Sequence, residues 1–543
     1  MGQSFVKGAA ILGAAALISK LLGVFYRIPY QNMTGDEGLF IYQQVYPVYS
    51  TLLVLATAGF PIAVSKLVSE RLALGDTYGA KRVFRVSSLV LSATGVCFFC
   101  MLFFGAGTIA TWMGSPEMLT LPIKSVSFAL LIVPVMSVMR GYFQGHQNMV
   151  PTAVSQVTEQ FVRVFTIIVA AYWVTSSGLE LVYAGAGAVF GAVTGAVTAL
   201  VTLLFFWRRN RQMRRELAVT VTVDRTEFDH DSTFKIIKRI LYYAIPICFG
   251  SLVLPLLGLV DSFTVANMLE RVQGMPNAEA AALKGVYDRG QPLIQFSAFF
   301  ATALALSIVP AVSEALAKGQ HALVALRSEI ALRITFLFGL PASVGLAVIA
   351  EPTNILLYEN GKGSLALAVL AFTTVFSTLG VTSSGILQGL GLVMLPARNL
   401  LFGVVVKLVL NLGLIGPFGI VGAAIATVAA YAVSTSLNLL AIIRRVKLNI
   451  AWRDFQLKPI LSAVFMAVSV YCVMAGVRAG MAGVVESVRL AMLVTVLLSV
   501  ATGVIVYAVI LFRSGAISRD DLKSVPRLDR KLTPWLEKFR LLK

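Results

Sequence analysis

The sequence predicts an all-α polytopic membrane protein with about fourteen transmembrane helices. Its 543 residues are 57% hydrophobic and 13% charged, whereas a soluble domain is typically about 45–50% apolar and 25% charged. Apolar runs of about twenty residues recur along nearly the whole chain, and each can cross a hydrocarbon core of roughly 30 Å as a helix. This composition excludes a disordered chain, a collagen and a coiled coil.

The apolar runs, and the residues that interrupt them, place the expected spans in order along the chain. The first run, near 5–28, is interpreted as a span rather than a signal peptide because it is long, contains Lys20 and lacks a small-x-small cleavage site. The other expected spans lie near 42–65, 86–110, 121–139, 152–174, 181–207, 240–268, 290–313, 334–350, 364–389, 399–415, 419–443, 459–477 and 490–512.

The distribution of charge predicts that both termini are cytoplasmic. If the chain crosses the membrane at each expected span, starting from a cytoplasmic N-terminus, most of the 45 Lys and Arg residues lie on cytoplasmic segments. The positive-inside rule requires this distribution. A net charge of +19 would suggest nucleic acid for a soluble chain, but basic cytoplasmic loops in contact with anionic lipids explain it here. We therefore expect anionic membrane lipids as partners, and no nucleic acid.

The sequence contains no recognisable catalytic or metal-binding motif. Cys97, Cys100, Cys248 and Cys472 all fall inside apolar runs, which argues against a disulfide framework or a metal site. A zinc-protease HExxH, a nucleophile elbow, a P-loop and a dinucleotide fingerprint are all absent from the sequence. The chain is therefore expected not to be an enzyme and to use no cofactor or metal ion.

The longest polar interruption, residues 208–239, predicts a division into two lobes. The expected organisation is an N-terminal six-helix lobe (1–207), a basic cytoplasmic linker (208–239), a C-terminal six-helix lobe (240–444), a terminal transmembrane helix pair (445–512) and a basic cytoplasmic tail (513–543). A weak internal repeat supports the lobes, because residues 61–70 resemble residues 309–318. Parallel repeats of this kind are typical of transporters that hold the substrate in a cavity between the lobes.

Three cations within or beside the spans predict an anion site. Lys20 and Arg27 lie two helical turns apart on nearly the same face, and Arg289 opens the eighth span. Together they would hold a diphosphate, whose charge requires several cationic donors in a cavity of low dielectric constant. Two alternatives stay open: Arg27 snorkels to the outer interface, or Arg289 pairs with the adjacent Asp288.

Two carboxylates within the spans predict further polar contacts. Glu159 and Arg163 have the acid-first i, i+4 spacing that favours a structural pair on one helix. Asp261 has no oppositely charged neighbour in its own span, so its partner must come from another helix. We expect that partner to be Lys407, with Asn411 and Thr427 nearby, in a coupling pair that responds to protonation or conformation.

Several stretches resemble a known family. They are SKLLG (19–23), GDEGLF (35–40), RGYFQGHQNMVP (140–151), SQVTEQ (155–160) followed by Arg163, and GIVGAAIAT (419–427). These stretches look like the SpoVB/YtgP branch of the multidrug/oligosaccharidyl-lipid/polysaccharide exporter superfamily, which includes MurJ-like lipid II flippases. The likeness covers most of the chain, and residues 140–163 are its most specific part.

The resemblance implies a fold like that of MATE and MurJ transporters. It implies two six-helix lobes around a central cavity, a terminal helix pair that forms a lipid-facing groove, and alternating access. Lys20 and Arg289 match cavity arginines of the family and Arg27 lies one position from another, while a family arginine of the second span is missing because residues 51–65 carry no charge.

The resemblance also concerns the coupling ion. Some family members hold sodium with an Asp, an Asn, a second Asp and a Thr. Asp261 and Thr427 match two of these ligands, but Lys407 stands in place of the Asn and Asn411 in place of the second Asp. No sodium site is therefore expected, and membrane potential or protons would supply the coupling.

The expected function is that of a flippase in the bacterial plasma membrane. It would move lipid II, a polyprenyl-diphosphate-linked peptidoglycan precursor, to the outer leaflet, with the cell-wall synthesis machinery as a candidate partner. The alternatives are an exporter of another undecaprenyl-linked glycan, a sporulation-specific precursor flippase and, more distantly, a drug/cation antiporter or a membrane glycosyltransferase.

Overall fold

The computed structural model describes residues 2–210, 232–446, 448, 456–481 and 487–515. Within these ranges all regular secondary structure is helical, which confirms the predicted all-α class. The helices are α1 (Gly2–Phe25), α2 (Arg27–Thr57), α3 (Phe60–Ala73), α4 (Thr77–Phe104), α5 (Ala106–Trp112), α6 (Pro116–Ser127), α7 (Ala129–Gly145), α8 (Val150–Ser176), α9 (Leu181–Arg209), α10 (Thr233–Gln273), α11 (Asn277–Asp288), α12 (Gly290–Ala317), α13 (His321–Val348), α14 (Ala350–Tyr358), α15 (Ser364–Ala371), α16 (Thr373–Gly389), α17 (Met394–Val446), α18 (Lys458–Met481) and α19 (Val488–Arg513).

Ten helical stretches of the described ranges are long and apolar enough to cross a membrane, and an eleventh results if the bent pair Asn277–Phe296 and Ala301–Ala317 is one span. Two of the ten, Ile11–Ala73 and Met394–Val446, are 63 and 53 residues long. A straight helix of 53 residues would measure about 80 Å, far more than the roughly 30 Å hydrocarbon core. The chain is thus a multi-pass membrane protein, and the count of fourteen spans stays a prediction.

Both long stretches fold back at a glycine. In α17, Gly419 has φ 55° and ψ −137° and interrupts the helix. Asn399 Nδ2 donates a hydrogen bond to Asn438 Oδ1 at 2.8 Å, so the two halves of α17 lie side by side and antiparallel. In α2, Gly35 (φ 70°, ψ −171°) has the same effect. The α17 hairpin occupies the region where the sequence predicts two spans, 399–415 and 419–443.

We expect Gly419→Ala to destabilise the protein by about 1–3 kcal/mol, because an L-residue is strained at this backbone conformation. The thermal unfolding midpoint in detergent measures the effect. Gly413→Ala is the matched control, because Gly413 lies within the helix and an added Cβ would meet nothing within 4 Å. An equal, unchanged midpoint for both variants would show that residue 419 tolerates a side chain.

The chain divides into two compact units, Met1–Asp288 and Arg289–Lys543. Helix α10 belongs to the first unit, where it packs against α2, α3 and α4 and buries Ile236, Ile240 and Ala244 in the unit's core. The expected lobes instead divide at 208–239. That lobe division stays a prediction, since residues 211–231 of the linker and residues 516–543 of the tail lie outside the described ranges.

In the first unit, close packing of α8 on α9 positions the polar residues of α8. A Cβ at Gly195 would lie 2.7 Å from the backbone oxygen of Glu159, and one at Gly191 would lie 2.9 Å from that of Arg163. Small residues at such interfaces let transmembrane helices approach each other closely. The glycines of α9 therefore fix the height and rotation of Glu159 and Arg163.

In the second unit, the terminal helix pair α18–α19 packs against α13 and α14. Met466 and Val470 of α18 and Tyr507 of α19 form a small apolar core with Ile349. Two salt bridges to the α14 region accompany this packing: Arg478 to Glu351 at 2.9 Å, and Arg489 to Glu359 at 2.7 Å.

Candidate functional site

Lys20 lies on an exposed flank of α1. The neighbouring face of α1 packs on α8, where Ser19 Oγ donates to the backbone oxygen of Gln156 at 3.3 Å and Gly23 lies beside the side chain of Gln160. Lys20 is turned away from that interface and is exposed. Lys20 therefore takes no part in the packing of α1 on α8.

Arg27 is buried among tyrosines at the start of α2. Its side chain is 8% exposed, and it interacts electrostatically with the hydroxyl groups of Tyr26 and Tyr42. Within the described ranges, Nε and Nη1 of Arg27 are buried and have no hydrogen-bond partner. A buried guanidinium with two unused donor atoms is costly for a folded protein, so this position favours an anionic ligand over snorkelling to the interface.

A row of tyrosines begins at Arg27 and continues along α2. Tyr26 and Tyr42 are joined by a hydrogen bond between their hydroxyl groups, and the ring centroids of Tyr42 and Tyr46 lie 6.1 Å apart. The next separation, from Tyr46 to Tyr49, is 6.3 Å. We call Tyr26, Tyr42, Tyr46 and Tyr49 the tyrosine row. Sequence reasoning missed it, although the spacing of 42, 46 and 49 places these residues on one helical face.

Glu159 lies between two arginines. Arg163 Nη2 donates to Glu159 Oε1 at 2.8 Å, so the structure contains the i, i+4 pair that the sequence predicts. Arg140 Nη2 donates to Glu159 Oε2 at 2.9 Å, and Arg140 Nε donates to Ser155 Oγ at 3.0 Å. The triad of Arg140, Glu159 and Arg163 therefore carries one excess positive charge, a feature that sequence reasoning missed because Arg140 lies on α7.

A second group of buried ionisable side chains joins α10 and α11. Tyr287 donates from its hydroxyl group to Asp261 Oδ2 at 3.1 Å, and Lys284 Nζ contacts both oxygens of Asp288 at 2.6 Å. Lys284 was not predicted, although it lies four residues before Asp288 on one helix. Its basic-first order is the less favourable one for an isolated helix, so the buried pair depends on tertiary packing.

Arg289 belongs to the second unit and is almost fully buried, with 1% exposed. Its Nη1 donates to Asn360 Oδ1 at 2.8 Å, and its guanidinium lies 5.2 Å from the ring centroid of Tyr358. Tyr358 in turn donates to the backbone oxygen of Arg289 at 2.9 Å. Asn360 and Tyr358 thus hold the orientation of this side chain. The sequence left open a pair between Arg289 and Asp288. In the structure, the Asp288 carboxylate binds Lys284.

We expect Arg289→Lys to lower the unfolding midpoint, because a lysine loses both the planar contact with Tyr358 and the fork that reaches Asn360. Hydrogen bonds to charged groups contribute about 1.5–3 kcal/mol each. The measurement is thermal unfolding in detergent, with Arg398→Lys as the control because Arg398 is exposed. Identical midpoints for the two variants would show that the contacts of Arg289 contribute nothing.

Lys407, Asn411 and Thr427 share the α17 hairpin of the second unit and are all buried. The two halves meet closely at Gly403 beside Ala430 and at Gly422 beside Leu414. Thr427 lies on the second half of the hairpin, where its hydroxyl group donates to the backbone oxygen of Ala423 at 3.0 Å. The expected pairing of Lys407 with Asp261 stays a prediction, because Asp261 belongs to the first unit.

Within the described ranges, no three or more His, Cys, Asp and Glu side chains are grouped so as to hold a metal ion. Cys97 and Cys472 are exposed, Cys100 is half-buried and Cys248 is buried, and all four are free thiols.

Residues 5–316 match the family described as Polysaccharide biosynthesis protein. Over 526 residues the chain is 35% identical to the uncharacterized membrane protein YabM of Bacillus subtilis, covering 96% of this chain and 94% of YabM. It is 31% identical over 450 residues to the lipid II flippase MurJ of the same organism, covering 80% and 81% of the two chains. Identity to the stage V sporulation protein B of Bacillus subtilis is 27%, covering 97% and 99%.

Solved structures show the same fold. Lipid II flippase MurJ in an inward closed conformation matches with a TM-score of 0.67 at 14% identity, covering 92% of this chain and 98% of MurJ. A multidrug resistance MATE family transporter of the MOP superfamily, in an inward-facing conformation, matches with a TM-score of 0.64 at 19% identity, covering 79% and 94%. The MATE- and MurJ-like fold expected from the sequence is therefore confirmed.

Proposed function

We propose that this chain, which belongs to the polysaccharide biosynthesis protein family and to the MurJ-like branch of the multidrug/oligosaccharidyl-lipid/polysaccharide exporter superfamily, is a lipid II flippase. The superfamily and branch identified from the sequence are confirmed by these matches. The family and its structural neighbours are flippases and transporters, so the chain is a transporter-type protein and not an enzyme.

The observation that carries the proposal is the buried, incompletely hydrogen-bonded Arg27. A diphosphate offers several charged acceptor oxygens, and a guanidinium presents several N–H donors in a fixed plane. Within the described ranges, two donors of Arg27, Nε and Nη1, are unused in a buried tyrosine setting, where they would bind different oxygens of the diphosphate. A cationic drug would be repelled there, which disfavours the drug/cation antiporter.

Lys20 would supply a second cation from α1. Tyr26, which joins α1 to α2, has helical backbone angles (φ −66°, ψ −22°). The chain therefore continues from Lys20 to Arg27 almost as one helix, and a separation of seven residues corresponds to roughly 10 Å along the axis. A diphosphate would be bound at Arg27, with Lys20 contacting the adjoining phosphate or the sugar. A contribution from Arg289 stays a prediction.

The proposed cycle is alternating access in the bacterial plasma membrane, with both termini in the cytoplasm. The diphosphate binds from the cytoplasmic side, the glycan enters a hydrated cavity, and the polyprenyl tail stays in lipid. The resemblance to the family implies that Lys407 stands in place of a sodium ligand, so the proposed driving force is membrane potential or protons rather than sodium.

A second candidate function is the translocation of another undecaprenyl-linked glycan or of a precursor used only in sporulation. The near full-length match with the stage V sporulation protein B supports it. The two candidates share the diphosphate and differ in the glycan and in the growth stage at which the protein acts.

Rescue of a bacterium depleted of its own lipid II flippase tests the proposal. We expect the wild-type chain to restore growth and cell shape, with its membrane level verified by immunoblotting. If the chain reaches the membrane at normal levels and growth still fails, lipid II is the wrong substrate. Identification of the lipids that co-purify with the chain then shows which glycan it carries.

A further inference from the structure

A small cavity lies along the tyrosine row, inside the first unit. Its polar lining comes from Tyr42, Tyr46 and Tyr49 on α2 and from Arg163 on α8, and alanine and valine side chains of α9 close its apolar side. The space suits a single small ligand of about one heavy atom. The proposed diphosphate site at Arg27 does not use this cavity.

Two donors at this cavity are buried and unused. Tyr49 is 1% exposed, and its hydroxyl group has no hydrogen-bond partner within the described ranges. Nε of Arg163 is also buried and has no hydrogen-bond partner within these ranges, whereas Nη2 of Arg163 is bound to Glu159. A buried polar group without a partner costs about 1–3 kcal/mol, so two of them beside one cavity indicate that a ligand with acceptor character belongs there.

The charge around the cavity selects among such ligands. Arg140 and Arg163 share the single carboxylate of Glu159, which leaves one positive charge uncompensated in the triad. A water molecule would satisfy the two donors but leave that charge, whereas a monovalent anion satisfies both. Polyatomic anions such as sulfate and gluconate are too large for the space.

We propose that this cavity, between Tyr49 and Arg163, binds a monatomic anion, which in a cell is chloride. The anion accepts hydrogen bonds from the Tyr49 hydroxyl group and from Arg163 Nε, and it neutralises the excess charge of the triad. It thereby ties α2 to α8 within the first unit. The site is independent of the substrate proposed above and of the residues proposed to bind it.

Thermal unfolding of the purified full-length chain in detergent tests the site. The protein is transferred into sodium gluconate, and chloride or bromide is titrated in at constant ionic strength. We expect the unfolding midpoint to rise with chloride and with bromide and to level off as the site saturates. In Tyr49→Phe, the dependence on chloride should weaken at least tenfold in apparent affinity.

Tyr30→Phe is the matched control, because Tyr30 is also buried on α2 but its hydroxyl group donates to the backbone oxygen of Gly38, away from the cavity. This variant should keep the chloride dependence of the wild type. An unfolding midpoint that does not change as chloride replaces gluconate would overturn the proposal. So would a chloride dependence in Tyr49→Phe that equals that of the wild type.

A crystal of the wild-type chain grown in bromide gives a second test that needs no variant. Anomalous scattering should place bromide between Tyr49 and Arg163. Density for a water molecule there, without an anomalous signal, would show that the cavity is only hydrated and would refute the anion site.

Discussion

Replacing Arg27 by alanine is expected to abolish the rescue of flippase-depleted cells while leaving the protein in the membrane. Two donors of Arg27 are unused within the described ranges, so truncation removes a group whose hydrogen bonds the fold satisfies only in part. If both donors bind the diphosphate, their loss removes about 3–6 kcal/mol of interaction. That loss corresponds to a fall in affinity of roughly 10²- to 10⁴-fold.

Binding of lipid II to the purified variant measures this loss directly. Arg27→Lys keeps the charge but loses the planar set of N–H donors, so an intermediate affinity is expected. Arg398→Ala is the control for removal of an exposed arginine and should bind and rescue as the wild type does. Full rescue by Arg27→Ala at a normal membrane level would show that Arg27 is not needed for translocation and would contradict the proposed function.

Glu159→Gln is expected to have the largest effect on stability. Arg140 and Arg163 both depend on the Glu159 carboxylate for charge compensation, and the side chains of the triad are only 13–14% exposed. Breaking a buried ion pair by removal of one partner costs about 3–5 kcal/mol, because an uncompensated charge stays buried. The measurements are the membrane level of the variant and its unfolding midpoint.

Two further variants separate charge compensation from general damage. Combining Glu159→Gln with Arg163→Gln should recover part of the lost stability, because one excess charge is removed with its partner. Glu314→Gln should have little effect, since Glu314 pairs with Lys318 on an exposed surface where both side chains are 57% exposed. If Glu159→Gln were as stable as Glu314→Gln, the triad would not be a structural element.

Properties that depend on local sequence were predictable. Hydropathy alone predicts an all-helical membrane protein, and the pair of Glu159 and Arg163 follows from helical spacing. The break at Gly419 separates two expected spans and coincides with the turn of the α17 hairpin. In each case the information lies within a few helical turns of one segment.

Contacts between distant segments were not predictable from one sequence. Arg140 reaches Glu159 from another helix, and no spacing rule connects them. The packing of α10 with the first unit depends on which apolar faces meet, whereas the polar segment 208–239 marks only a change in composition. The buried environment of Arg27 likewise results from Tyr42, which returns beside Tyr26 because the chain reverses at Gly35.

The most direct test of the proposed function is translocation of fluorescent lipid II in vesicles that contain only the purified chain. A membrane-impermeant quencher is added outside, and the quenched fraction is measured. We predict that wild-type vesicles expose lipid from both leaflets to the quencher, while Arg27→Ala vesicles expose only the outer leaflet. Equal quenching in wild-type and protein-free vesicles, with the chain folded and a potential or proton gradient imposed, would contradict the account.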